Sequence, residues 1–305
     1  INNFGLAKTY QGNQTLNHIG LYAQYGTTKF FSCGLASTVL NHAGGNAIQR
    51  KDLFLTGIKD IHFATISNGT LLAGNSIMRK MNPNQQWKTI KPDAASSAVL
   101  YGKYCKVWTI SDIQSLAVGV YAGAMIQNET ASISASLPTN VLDVVANQNM
   151  FYFAKSDEVL GMTISSNGSI GTPTTYNYAG HQINSIDVLD NNDFAVAGEN
   201  GFFEYNDVSS GSVFSASIQN ANINDLKFVD HVYAIAVGDN GAYFKFNATG
   251  MTPYGYATSG TWAEIQDVYS SGNDPYLVDN ATDIDIYTID FASYDQAVFG
   301  GKYLT

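Results

Sequence analysis

Charge is what this sequence has least of. Of its 305 residues only 13% are charged, with 15 Lys+Arg against 25 Asp+Glu, about half the charged fraction of an ordinary soluble domain. A net charge of -10 leaves no basic surplus to displace counterions from a phosphate backbone, which argues against a nucleic-acid partner. Arginine is nearly absent: Arg50 and Arg79 are the whole supply, too few for an arginine cluster that grips an acidic substrate. The five His residues form no H-E-x-x-H or other spaced ligand set, so no zinc site is expected. There is neither a G-x-S-x-G elbow nor a Gly-rich phosphate loop, and no organic cofactor is implied. No apolar run reaches the length of a membrane span, and the chain opens without a basic n-region and apolar h-region. The two cysteines, Cys33 and Cys105, fall two repeat units apart and are expected to be buried, unpaired thiols.

What is abundant is amide, hydroxyl and aromatic: 28 Asn, 28 Gly and 19 Tyr, on a 45% hydrophobic chain. These are arranged in a repeat. Residues 183–205 read INSIDVLDNNDFAVAGENGFFEY, and forty positions later 223–246 read INDLKFVDHVYAIAVGDNGAYFKF. Each has a period-2 apolar strand, an acidic turn, a second apolar strand ending in Gly, a short link and a third strand. Related stretches occupy 58–81, 106–126 and 284–304, with weaker copies around 19–40 and 141–162. The position closing the second strand falls at Gly34, Gly74, Gly119, Ala154, Gly198, Gly238 and Gly300. Fourth strands are expected at 85–90, 129–137, 211–218 and 259–265.

Units of about 40 residues with four strands each are the signature of propeller blades. The expectation is an all-β fold: one seven-bladed β-propeller of four-stranded antiparallel blades spanning residues 1–305. The last unit ends after its third strand, so residues 3–10 (NFGLAKTY) are expected to supply its outer strand and close the ring. An insertion in the last blade, about 266–283, should project as a long loop.

The motif I/V-x-D/S-I/L-x-F/V followed by A-V-x-G-x-x-G is similar to the BNR-type propeller repeats of photosystem II assembly and stability factors, and more distantly to sialidase-type propellers. The resemblance spans the whole chain as a pattern and is sharpest at 183–205 and 223–246. It implies a scaffold that binds another protein on one propeller face. Two features of those families have no counterpart: the arginine-rich patch, and a full S-x-D-x-G-x-x-W box, of which NPNQQW (82–87) and TSGTW (258–262) keep only the turn and the Trp.

A partner surface is expected on the rim formed by the second-to-third-strand turns, at Asn75, Tyr121, Glu199, Asn200, Asp239, Asn240 and Lys302, whose amides, carboxylates and phenol suit polar recognition of a protein or a glycan. The want of arginines argues against sialidase action, and no catalytic residue is assigned; the alternative to a non-catalytic binding or structural module is a carbohydrate-active propeller, a lectin or, less favoured, a glycoside hydrolase. Asp274, Asp279, Asp283 and Asp285 form a hard-oxygen set that calcium could order, without the spacing of an EF-hand. Sequons at Asn13, Asn68, Asn128, Asn167, Asn247 and Asn280 make N-glycosylation, and with it a secreted or extracellular location, an expectation. The charge is lopsided as well: residues 1–150 carry +5 and residues 151–305 carry -15, which suits a basic partner or a role in a larger assembly.

Overall fold

The computed structural model describes residues 16–24, 27–34, 38–43, 47–52, 58–65, 68–73, 76–80, 87–92, 104–111, 114–120, 123–127, 130–190, 192–217, 222–228, 233–239, 243–247, 264–265, 286–293 and 296–301. Within them the chain is all-β; helical geometry is confined to short turns, at Glu199–Gly201 and at Asp239. Contacts divide the chain into two compact units, one of residues 16–179 and the other of 180–305 together with 1–15.

In the first unit, sheet one is β1 (Leu16–Gln24), β2 (Thr27–Gly34), β3 (Thr38–Ala43) and β4 (Ala47–Asp52). Sheet two is β5 (Ile58–Thr65), β6 (Asn68–Ala73), β7 (Ser76–Lys80) and β8 (Lys88–Thr89). The short β9 (Lys91–Pro92) leaves that sheet and joins sheet three, where β10 (Tyr104–Thr109), β11 (Gln114–Gly119), β12 (Gly123–Gln127) and β13 (Thr130–Ile133) are antiparallel and β9 runs parallel to β13. Sheet four is β14 (Asp143–Asn147), β15 (Met150–Ala154), β16 (Glu158–Thr163) and β17 (Thr174–Asn177).

The second unit holds sheet five, β18 (Ile183–Val188), β19 (Phe194–Gly198), β20 (Phe202–Asp207) and β21 (Ser212–Ser217), and sheet six, β22 (Ile223–Phe228), β23 (Tyr233–Gly238), β24 (Tyr243–Asn247) and β25 (Glu264–Ile265). Its last described sheet has two strands, β26 (Ile286–Ser293) and β27 (Gln296–Gly301). Every sheet of four therefore follows chain order with its first strand at one edge. The third strand expected in the last unit, the insertion at 266–283 and the strand at 3–10 lie outside the described residues.

Among the described residues the second strands β11, β15, β19 and β23 are buried on both faces, which is why their centres read as apolar runs. All six residues of β11 are buried. Leu116 and Val118 face sheet four, where they meet Phe151, Phe153 and Met162, while Ala117 turns to sheet two and packs with Leu72 and Ile77. Between sheets five and six, Ala195 and Ala197 of β19 and Ala234 and Ala236 of β23 make room for Phe203, Tyr205 and Leu226. Alanines alternating with bulky residues let neighbouring sheets interdigitate without voids.

One backbone irregularity recurs. In β1, β5, β10, β18, β22 and β26 the register against the second strand slips by one residue at the second position of the first strand. The bulged residues are Asn17, Lys59, Cys105, Asn184, Asn224 and Tyr287, each of which adds local twist. Cys105, expected just ahead of a strand, is thus inside β10. Opposite each bulge stands the closing position of the second strand: Gly34, Ala73, Gly119, Gly198, Gly238 and Gly301. The register-equivalent residues in sheet two and the last sheet are therefore Ala73 and Gly301 rather than the neighbouring Gly74 and Gly300.

At Gly198 and Gly238 a close backbone approach explains the glycine. The residue just ahead of the first strand brings its carbonyl against the end of the second strand, where a Cβ on Gly198 would lie 1.7 Å from the Gln182 carbonyl oxygen and one on Gly238 would lie 1.9 Å from that of Asn222; sheet two keeps an alanine, Ala73, opposite its bulge. In sheet four β14 pairs with β15 in unbroken register, and there the closing position is Ala154.

Candidate functional site: the hairpin rim and the edge strands of sheets five and six

The hairpin joining β19 to β20 is built for a left-handed turn. Asn200 has φ 55° and Gly201 φ 68°, and the Phe202 N–H donates back to the Glu199 carbonyl, the signature of a type I′ turn with its Asn-Gly preference. Asn200 is exposed and Glu199 half-buried. The Glu199 N–H is anchored on the Gln182 carbonyl at 2.9 Å, and the Asp239 N–H on that of Asn222 at 3.0 Å.

Side chains then stitch the two hairpins together. Asn222 Nδ2 donates to Asp239 Oδ2 at 2.9 Å, and Asn224 Nδ2 donates to Asp239 Oδ1 at 2.8 Å. Asn222 Oδ1 accepts the Asn200 N–H at 3.0 Å, and Asn184 Nδ2 donates to the Ile223 carbonyl at 2.9 Å. Beside them His181, exposed, lies flat on Phe202 with ring centroids 3.9 Å apart. The rim of these two sheets is a fixed polar surface rather than a set of loose turns.

Of the residues expected on this rim, the structure brings Glu199, Asn200 and Asp239 together; Asn75, Tyr121, Asn240 and Lys302 lie outside the described residues. Asp239 also has a structural part. Both carboxylate oxygens accept amide hydrogens from its own sheet, so it positions the rim. The residues that hold it, Asn222 and Asn224, and the stacked His181 were missed by the sequence reading. The signal was present, since Asn224 occupies the variable position of the repeat motif where the bulge falls.

A second system runs along the first strands. Each is an edge strand of its sheet, so half of its amides have no strand to bond to. Polar side chains of the preceding first strand accept them: Asp60 Oδ2 takes the Val107 N–H at 2.8 Å, and Asp225 Oδ2 takes the Ile289 N–H at 2.9 Å. Ser185 Oγ accepts the Leu226 N–H at 3.3 Å and donates to Asp225 Oδ1 at 2.8 Å. Two residues on, His62 Nδ1 accepts the Thr109 N–H at 3.0 Å, and Asp187 Oδ2 accepts the Phe228 N–H at 2.8 Å. His62 also stacks on Trp108 at 3.7 Å. Burial pushes the Asp187 carboxyl above the usual carboxylate range, against the pull of the Lys227 ammonium 3.3 Å away and of the Phe228 N–H.

At the other end of sheet five, buried Asp193 accepts the Tyr205 hydroxyl at 2.7 Å and the Val208 N–H at 2.8 Å. Burial and that carboxylate hold the Tyr205 phenol well above its ordinary range.

The sequons separate by burial. Asn167 is exposed, its Oδ1 accepting the Ser169 N–H at 3.0 Å in the β16–β17 hairpin. Asn68 begins β6 and is 1% exposed. It shares a strand face with Thr70 and Leu72, which points at sheet three. Asn247 ends β24, and Asn13, Asn128 and Asn280 lie outside the described residues. So do Asp274, Asp279, Asp283 and Asp285; among the described residues no group of three or more His, Cys, Asp or Glu could hold a metal ion. Among the described residues no helix is long and apolar enough to cross a membrane.

Sheets of four antiparallel strands, each with its first strand at an edge and its faces packed on neighbouring sheets, define a β-propeller. Solved structures agree on that fold. The chain resembles YCF48, a photosystem II assembly factor, in a structure of YCF48 bound to a D1 peptide, with TM-score 0.70 and 14% identity over 98% of this chain and 93% of that one. It resembles YCF48 from Cyanidioschyzon merolae with TM-score 0.67 and 12% identity over 96% and 94%. The WD40 propeller domain of Doa1 matches with TM-score 0.69 and 12% identity over 99% and 95%. No family model matches the chain, and no curated protein does. At these identities the likeness is one of fold, and it bears out the propeller resemblance of the repeat motif.

Proposed function

We propose that this chain is a non-catalytic binding propeller that takes a segment of another protein across the hairpin rim of sheets five and six. The observation that carries the reading is the rim's hydrogen-bond network. Asn200, Asn222, Asn224 and Asp239 are locked by mutual hydrogen bonds, so a partner meets donors and acceptors whose ordering cost has already been met in folding. A propeller of the same fold has been captured with a peptide bound, which makes a peptide segment the natural form of partner. The unit that carries this rim holds four basic and 17 acidic residues, so the segment is expected to be basic, steered by long-range charge.

The fold reading goes further in the same direction: seven blades, the last completed by residues 3–10. A secreted location is proposed alongside, with Asn167 as the acceptor of an N-linked glycan, on the strength of its exposure and its sequon. The test of the function is affinity capture from the native source followed by crosslink mapping. Crosslinks clustered on residues 199–201, 222–224 and 239 support it; crosslinks confined to β21 or to sheets one to four overturn it.

A further inference from the structure

His181 stands at the edge of the rim. It is exposed, and its imidazole lies parallel to the Phe202 ring, with 3.9 Å between centroids and 13° between planes. Phe202 opens β20 and is only 4% exposed, so the phenyl is a packed floor under the imidazole, whose exposure lies on its other face. The backbone sets a carboxylate beside this ring. The Phe202 N–H donates to the Glu199 carbonyl, closing a turn whose end Cα atoms stand within about 7 Å of one another. From the other side the Glu199 N–H donates at 2.9 Å to the carbonyl of Gln182, the residue that follows His181. Glu199 is half-buried, and among the described residues no hydrogen bond or ion pair engages its side chain.

A flat aromatic face with a carboxylate next to it suits one side chain above the others. A guanidinium is planar, so it can stack on a ring and at the same time turn the N–H fork at its edge to a carboxylate. An ammonium is a compact point charge without that fork, and a phenol stacks but brings no charge to the carboxylate. Charge selects the same occupant, because the unit that carries this site holds four basic and 17 acidic residues. Resting on the proposed binding of a basic segment at the rim, we infer that His181 and Glu199 form an arginine-reading subsite: the partner's guanidinium lies on the exposed face of the imidazole and its edge donates two hydrogen bonds to the Glu199 carboxylate. The Asn200 N–H, held on Asn222 Oδ1 at 3.0 Å, keeps the turn that carries Glu199 in place.

Short capped peptides test the subsite without the partner. The full chain is labelled with carbon-13 at histidine Cε1, the His181 signal being the one lost in His181→Gln, and acetyl-Gly-Arg-Gly-amide is titrated in at about pH 8. The His181 signal should shift and saturate, and the lysine and tyrosine versions of the peptide should bind at least about fivefold more weakly. Glu199→Gln should weaken the arginine peptide at least about threefold. Followed on the amides of Asn200 and Gly201, His181→Phe keeps a ring on Phe202 and should stay within about twofold of wild type, whereas His181→Ala should lose at least about fivefold. An unmoved His181 signal, a lysine or tyrosine peptide as tight as the arginine one, or full affinity in Glu199→Gln overturns the subsite. If the arginine peptide leaves His181 unmoved while crosslinks from the captured partner cluster on residues 199–201, 222–224 and 239, binding at the rim stands and the arginine subsite falls. If the peptides behave as expected but the crosslinks fall elsewhere, the subsite stands and the rim is not where that partner docks.

Discussion

Replacing Gly198 with alanine tests the link between sequence motif and architecture. The new Cβ would fall 1.7 Å from the Gln182 carbonyl oxygen and 2.8 Å from its carbonyl carbon, when carbon and oxygen in van der Waals contact need about 3.2 Å. Neither neighbour is the yielding end of a long side chain; both are backbone. To make room the Gln182 carbonyl has to withdraw, which breaks the 2.9 Å bond from the Glu199 N–H and forces the bulge at Asn184 to re-register. Overpacking costs about 1–3 kcal/mol and a lost backbone hydrogen bond at a partly buried position about 1–2 kcal/mol, so Gly198→Ala should destabilise by about 2–5 kcal/mol. Gly238→Ala should match it, with 1.9 Å to the Asn222 carbonyl oxygen. The reverse change in sheet four, Ala154→Gly, meets no bulge and should cost only about 1–2 kcal/mol for the lost methyl and the added chain entropy. Urea unfolding followed by tryptophan fluorescence and by far-ultraviolet circular dichroism measures all three. A Gly198→Ala protein within about 1 kcal/mol of wild type would refute the reasoning, as would an Ala154→Gly protein that suffers as much.

Tyr205 carries a pH signature. Because burial and Asp193 hold its phenol above the ordinary range, the unfolded chain loses this proton near pH 10 while the folded one keeps it, so its contribution to stability is complete below about pH 10 and falls as pH rises beyond it. Tyr205→Phe should flatten that alkaline limb of a stability profile, and an unchanged slope would contradict the assignment. Asp193→Ala should cost about 2–4 kcal/mol in denaturant titrations, since it strands both the Tyr205 hydroxyl and the Val208 N–H. For Asp187 and Lys227, Lys227→Met alone should destabilise by leaving a desolvated carboxylate, and Asp187→Asn with Lys227→Met should recover most of the loss; a double variant as weak as the two single costs combined would show that the pair does not act as a unit.

The blade repeat was legible because its periodicity is a backbone property. Alternating apolar strands, Asn-Gly turns and a closing glycine at 198 and 238 each answer to one local constraint. The motif I/V-x-D/S-I/L carried more than its periodicity revealed: the D/S position is where Asp60, Ser185 and Asp225 accept the next edge strand's amide, and the variable position is the bulge. Neither role can be read from one unit, because the partner amide sits about 40 residues or more away on another sheet. The rim was legible as composition but not as chemistry. Asp239 and Glu199 look alike in sequence, and only packing shows that the first is consumed by Asn222 and Asn224. Asn68 shows the converse: a sequon is a three-residue pattern, whereas burial of its asparagine depends on sheet three lying against β6. The short β9, which crosses to pair with β13, left no signal in Lys91 and Pro92 that distinguished it from loop.

Charge reversal at Glu199 tests the binding reading most directly. Its backbone is fixed by the turn, no side-chain hydrogen bond or ion pair ties it among the described residues, and it stands beside the locked Asn200–Asn222–Asp239 network. The partner captured from the native source is titrated against wild type, Glu199→Arg, and Val213→Arg on the exposed edge strand β21, where Val213 is 54% exposed. The account predicts at least a tenfold loss of affinity for Glu199→Arg with unfolding midpoints unchanged, and wild-type affinity for Val213→Arg. Full affinity in Glu199→Arg, or a loss confined to Val213→Arg, would contradict it.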